Sequence, residues 1–202
     1  MTQRSGDPSP PLLEKKRRNR MKKVVLLGDS IRLIGYGQRT AELLGEEYSV
    51  WQPTDNCRYA AYTLRMLFEY REEIKGADII HWNNGLWDCT DCMGDGTFTD
   101  EEVYVSTMCR IAKHLLAITP NVIFATTTPT RKENPYTSTE KVIRYNEILV
   151  PRLEEMGVKI NDLFSTVAAD IPRYIREDDL IHLTDEAIEV CALQVADAIR
   201  SV

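Results

Sequence analysis

Histidine is scarce in this chain, with three residues in 202 against 25 lysines and arginines and 31 aspartates and glutamates. Any chemistry that needs an imidazole has only His81, His114 and His182 to draw on. The first twenty residues, MTQRSGDPSPPLLEKKRRNR, hold no apolar run of the length a signal peptide or a membrane span requires. Five cysteines (Cys57, Cys89, Cys92, Cys109, Cys191), an odd number without an export signal, lead to the expectation of reduced thiols in the cytoplasm. Positive charge is lacking beyond the start: residues 1–23 carry +6, which leaves −12 on residues 24–202. That balance argues against nucleic acid as a partner of the folded part, and nothing in it calls for a membrane. Residues 1–21, proline-rich and then basic, are expected to form a disordered leader, with one domain over residues 22–202.

Several familiar site patterns are also missing. A phosphate loop needs Gly-x-x-x-x-Gly-Lys-Ser/Thr. After Gly28 the next glycines are Gly35 and Gly37, no lysine follows, and Arg32, Leu33 and Ile34 would crowd the backbone. The stretch Asp91 to Glu102 imitates a calcium loop but has Met93, which offers no oxygen ligand, at its third position. Thr99 to Glu102 reads better as a helix capping box. Cys89-Thr-Asp-Cys92 has no second matching pair for zinc. No metal site is therefore expected.

What the sequence does have is an alternation of strand-length apolar runs with helix-period segments. Strands are expected at residues 23–28, 48–52, 78–83, 122–127 and 157–161, and helices at about 37–46, 57–74, 100–118, 139–156, 163–169 and 184–200. Strands that are continuously apolar are buried on both faces, so the expected fold is a single α/β three-layer sandwich around a parallel sheet. Such sheets bind ligands beyond the carboxyl ends of their strands.

Gly28-Asp29-Ser30 stands at that end of the first strand, and Asp179-Leu180-Ile181-His182 lies in a polar loop after the fifth. A carboxylate three residues before an imidazole can fold back onto Nδ1, fix the tautomer and leave Nε2 free to take a proton. His81, within a buried strand, and His114, within a helix, read as packed residues. These paired blocks resemble those of the SGNH, or GDSL, hydrolases, serine esterases on a five-stranded flavodoxin-like sheet. The resemblance covers about Lys22 to Val202 and implies Ser30 as nucleophile, His182 as base and Asp179 as orienting acid, with no cofactor.

The middle blocks depart from that pattern. Where the family's oxyanion hole draws a glycine N–H after the second strand, this chain reads TDNCRYAAYTL, so a backbone N–H of Asn56, Cys57 or Arg58 would serve, Arg58 being the choice. Where the family has an asparagine in Gly-x-Asn-Asp, this chain has Gly85-Leu86-Trp87-Asp88, which leaves Asn83 as the amide donor and Asn84 in reserve. The GDSIR, NCR and NNGLWD stretches look like a carbohydrate-esterase-like subgroup. Arg32 and Trp87 are expected to meet substrate, with Tyr36, Trp51 and Trp82 also near strand ends. Without a long apolar insertion to build an acyl tunnel, the expected substrate is a small-molecule or oligosaccharide ester carrying a short acyl group, with acetyl favoured. A catalytically silent glycan- or partner-binding module, an acyltransferase and a thioesterase remain open, as does the oligomeric state.

Overall fold

A computed structural model describes residues 20–202. The expected leader lies outside the described residues except for Arg20 and Met21, and Arg20 pairs with Asp78 at 2.8 Å. Five strands, β1 (Lys22–Leu27), β2 (Tyr48–Trp51), β3 (Ile79–Trp82), β4 (Val122–Ala125) and β5 (Lys159–Asn161), form one parallel sheet in the order β2-β1-β3-β4-β5. Val24 to Leu27, Ile79 to Trp82 and Val122 to Ala125 are all buried, which is why these runs are apolar at every position instead of every second one.

Helices cover both faces. α1 (Gly37–Leu44) packs against α8 (Asp185–Arg200), while α2 (Ala60–Glu69), α4 (Glu101–Leu116) and α5 (Thr139–Glu155) pack in a row. Short helices α3 (Arg71–Ile74), α6 (Leu163–Ala168) and α7 (Ile171–Tyr174) complete the α-helices among the described residues. The strand order reverses at the β1–β3 pair, so the chains leaving these neighbours diverge to opposite faces and open a crevice between them. Among the described residues, no helix is long and apolar enough to cross a membrane.

The structure differs from the sequence expectation at the ends of elements. The chain turns helical at Ser30 and runs through a π-helical turn, Arg32–Tyr36, into α1, with a kink at Gly35 (φ −112°, ψ −119°). α2 begins at Ala60 instead of residue 57, because Cys57 N–H is held by Gly28 O at 3.1 Å and Arg58 takes a left-handed φ of 48°. The capping box at Thr99 does not form: the N-cap of α4 is Asp100, and Thr99 N–H donates to Asp88 O instead. α7, which the periodicity misses, is a single turn started by Asp170, whose side chain accepts from Arg173 N–H.

Candidate active site

β1 delivers its last apolar residue, Leu27, and then needs a residue that can turn sharply beneath β3. Gly28 does so at φ 156°, and a Cβ there would lie 2.0 Å from Asn83 Oδ1. Asp29 follows and caps the new helical turn, its Oδ1 accepting from Ile31 N–H at 2.9 Å. Ser30 therefore sits in the first turn of a helix, where backbone N–H groups have no partner within the helix. Its Oγ lies 2.9 Å from His182 Nε2.

The histidine is held by a turn that builds itself. Asp179 Oδ1 accepts from Ile181 N–H at 3.0 Å and His182 N–H at 2.8 Å, and Oδ2 lies 2.9 Å from His182 Nδ1. This closure puts Leu180 at φ 67°, a conformation that L residues avoid and that a surrounding clamp must hold. Arg131 supplies the clamp: its N–H donates to Leu180 O at 3.0 Å, and its guanidinium to Ile175 O and Pro172 O at 2.8 and 2.6 Å. Arg176 N–H donates to His182 O at 2.8 Å, and Asp178 pairs with the Arg176 guanidinium, so Asp179 alone of the two aspartates meets the imidazole. Partial burial acts to raise the Asp179 carboxyl, but the hydrogen bonds from His182 and Ile181 outweigh it and hold the group below its ordinary value.

Behind Ser30 lies a buried polar chain. Tyr36 OH donates to Asn83 Oδ1 at 2.8 Å, and Asn83 Nδ2 donates to Asp29 Oδ1 at 2.8 Å. Burial raises the Asp29 carboxyl despite the bonds from Asn83 and Ile31, and its Oδ2 has no hydrogen-bond partner among the described residues. Asn83 thus lies against the Gly28–Asp29 turn and keeps one amide proton beyond the bond to Asp29. Asn84 faces elsewhere: Nδ2 donates to Arg58 O at 2.8 Å and Oδ1 accepts from Trp82 Nε1 at 3.0 Å, tying the loop after β3 to the loop after β2.

Several of the expected site residues stand in other bonds or in the core. The Arg58 N–H is turned onto Asn56 Oδ1 at 2.8 Å, and those of Asn56 and Cys57 are bonded to Asp55 Oδ1 and Gly28 O. Every backbone donor named for that position is thus already engaged. Arg32 does not reach a substrate rim: its guanidinium is fully buried and donates to Pro53 O, Asp55 O and Gly28 O, fastening the loop after β2 to the Ser30 turn. Tyr36 and Trp82 are likewise fully buried. Trp51 meets Tyr70 edge-on at 5.4 Å. His81 is a core residue, its Nε2 3.2 Å from Asn161 Nδ2, and burial pushes it down to about 3.

Trp87 does come to the site. With Leu86, Met93, Phe98, Tyr136 and Ile181 it walls a cleft of about 610 Å³ that opens onto Ser30 and His182. A smaller hollow of about 330 Å³, between Ile34, Arg176 and Ile188, reaches the same pair from the other side. Arg131, and the bond by which Tyr36 supports Asn83, are what sequence reasoning missed. Their partners are backbone atoms and an amide distant in sequence, so no local spacing announces them.

No protein-family model matches the chain, and no curated protein matches it in sequence. Solved structures match it in shape. A lipase/acylhydrolase from Enterococcus faecalis shares 15% identity over 90% of this chain and 96% of its own, with a TM-score of 0.73. An acetyl xylan esterase shares 18% over 88% and 99%, with a TM-score of 0.71. An acetylxylan esterase from Geobacillus stearothermophilus shares 15% over 89% and 93%, with a TM-score of 0.66. With its 2-1-3-4-5 parallel sheet and this agreement in shape over nearly its whole described length, the chain has the fold of the SGNH, or GDSL, hydrolases.

Proposed function

We propose that this chain is a serine esterase that removes a short acyl group, acetyl foremost, from a carbohydrate. The observation that carries the reading is the unbroken run from Ser30 Oγ through His182 to the Asp179 carboxylate, two contacts of 2.9 Å each. In this reading Ser30 attacks the ester carbonyl as His182 Nε2 takes its proton. The tetrahedral intermediate collapses, the alcohol leaves with that proton, and water, deprotonated by His182, releases the acid from the acyl-enzyme. Asp179 orients the imidazole and stabilises its charged form. The oxyanion rests on the Ser30 N–H and the free amide proton of Asn83, and the Arg58 N–H joins them if Asn56 yields it. Trp87 offers the substrate an exposed ring face. The acetyl xylan esterases of like fold support the acetyl and carbohydrate parts of the reading.

The test is hydrolysis of 4-nitrophenyl acetate by the wild type and by Ser30→Ala. Equal rates, with both proteins folded by circular dichroism, would overturn the reading. Asn83→Ala is expected to lower kcat/KM by about 10²–10³. If Asn84→Ala does so instead, the donor is misassigned by one residue. A silent glycan-binding module has one observation in its favour, the engagement of all three N–H groups after β2. Its signature is saturable binding of an acetylated sugar with no release of acetate. Acyl transfer and thioester cleavage use the same groups and are told apart by supplying an alcohol acceptor or a thioester.

A further inference from the structure

The cleft beside Ser30 is far larger than an acetyl group and differs in character from a polar sugar site. At about 610 Å³ it falls in the size range that encloses drug-sized ligands. Its rim exposes four large apolar side chains together, Met93 at 85%, Phe98 at 60%, Tyr136 at 52% and Trp87 at 43%. Clustered apolar exposure of this kind marks a binding surface, because water disfavours it otherwise. Leu86 and Ile181 continue the apolar wall inward to Ser30 and His182.

Polar recognition in the cleft is sparse. Thr90 Oγ1 is spent on Leu86 O, and Thr97 Oγ1 bonds Thr99 O and accepts from Tyr145 OH. Among the described residues Asp95 is the one carboxylate lining the cleft and no lysine or arginine lines it, so an anionic group such as the phosphates of a nucleotide-linked thioester meets no described counter-charge there.

Resting on the Ser30 esterase reading above, though not on its preference for acetyl, we propose that the substrate is amphiphilic: an ester of a carbohydrate bearing a hydrocarbon or aryl group of about five to eight carbons, which this cleft holds while Ser30 attacks. That group belongs either to the acyl chain or to the aglycone, and two substrate series separate these sources. One is methyl glucoside carrying acyl groups of two to eight carbons; the other is the acetates of methyl through octyl glucosides, both followed by acid release. A methylene moved fully from water to an apolar site is worth about fourfold in kcat/KM, and about twofold in a half-open cleft. The six-carbon member is expected to exceed the shortest by about 15- to 250-fold in the acyl series, where four methylenes separate them, or by about 30- to 1,000-fold in the glucoside series, where five do.

The slope of that series is expected to flatten in Phe98→Asn, whose exposed position makes loss of folding avoidable. Flat slopes in both series, with Ser30→Ala still inactive on every member, overturn the proposal and leave the esterase reading intact. Loss of the esterase reading instead appears as turnover indifferent to Ser30→Ala. Binding tests the cleft apart from chemistry: Ser30→Ala titrated calorimetrically with hexyl glucoside should bind at least about tenfold more tightly than with methyl glucoside. Equal affinity for the two, together with a flat acyl series, overturns the proposal.

Discussion

Replacing Asp179 by asparagine alters one atom of the side chain and forces a choice. Three hydrogen bonds converge on the carboxylate: Ile181 N–H at 3.0 Å and His182 N–H at 2.8 Å on Oδ1, and Nδ1 at 2.9 Å on Oδ2, from which the Arg176 guanidinium, itself hydrogen-bonded to Asp178, stands 3.5 Å away. An amide has one accepting oxygen and two donors on nitrogen. The two backbone donors share one oxygen position and are fixed by the turn around Leu180, so the amide oxygen stays with them and the amide NH₂ faces Nδ1. Two donors cannot meet there. The imidazole then takes the tautomer with hydrogen on Nε2, which points at Ser30 Oγ and cannot accept its proton. The expected loss in kcat is about 10⁴-fold, or roughly 5.5 kcal/mol of barrier, with KM little changed. Stability is expected to fall by only about 1 kcal/mol, because the two backbone bonds survive. Steady-state hydrolysis of 4-nitrophenyl acetate and a urea melt read the two quantities. A kcat within tenfold of wild type would refute the tautomer argument. The Asp179 carboxyl titrates below its ordinary 3.8 in the folded protein, so its contribution to stability is full above that value and is lost as pH falls through the folded value. The stability gap between wild type and variant should therefore narrow as pH drops from 6 to 3.

Tyr36→Phe leaves Asn83 Oδ1 buried without its donor, at about 1–3 kcal/mol of stability, and frees the amide to rotate. We expect kcat to drop about tenfold with KM within twofold; a lower Tm with unchanged kcat would leave Tyr36 a purely structural residue. Arg32→Met strands the carbonyls of Pro53 and Asp55, leaves Gly28 O with the Cys57 N–H alone, and should destabilise the fold by about 3 kcal/mol in a urea melt. A raised KM without loss of stability would return Arg32 to the substrate rim. Asp88 is fully buried, accepts from Ala60 N–H at the start of α2 with both oxygens, and is pushed up to about 7 by burial. Between pH 4 and 7 the unfolded carboxyl is ionised while the folded one keeps its proton, so wild-type stability falls as pH rises through that window. Asp88→Asn keeps an acceptor for Ala60 without this term, so its stability relative to wild type should rise by about 1–3 kcal/mol between pH 5 and pH 8. An unchanged Tm difference across that range would contradict it.

The sheet was legible because each strand is an unbroken apolar run between turn residues, and burial on both faces is written position by position. Element ends were less so. Cys57 to Tyr59 carry helix-compatible residues, yet Gly28 O captures the Cys57 N–H and delays α2 until Ala60, a contact 29 residues away in sequence. Arg32 looked like a rim residue because Ser30 is two positions away. In the folded chain the turn rotates it inward, onto three carbonyls that nothing local could anticipate.

By itself the sequence determined the parallel α/β class, the strand-end position of Ser30, the loop position of His182, and the Asp179 turn, whose hydrogen bonds span three residues. Only the tertiary structure decided what stands around them: that Asn83 lies against the Ser30 turn while Asn84 faces the loop after β2, that the N–H groups of that loop are engaged, and that Trp87, Met93, Phe98 and Tyr136 gather into one apolar cleft. The reason is range. Caps, turns and periodicity act over a few residues and leave a local trace. The cleft and the buried polar chain are made by segments 40 to 150 residues apart, and their register is set by the packing of the sheet and its helices.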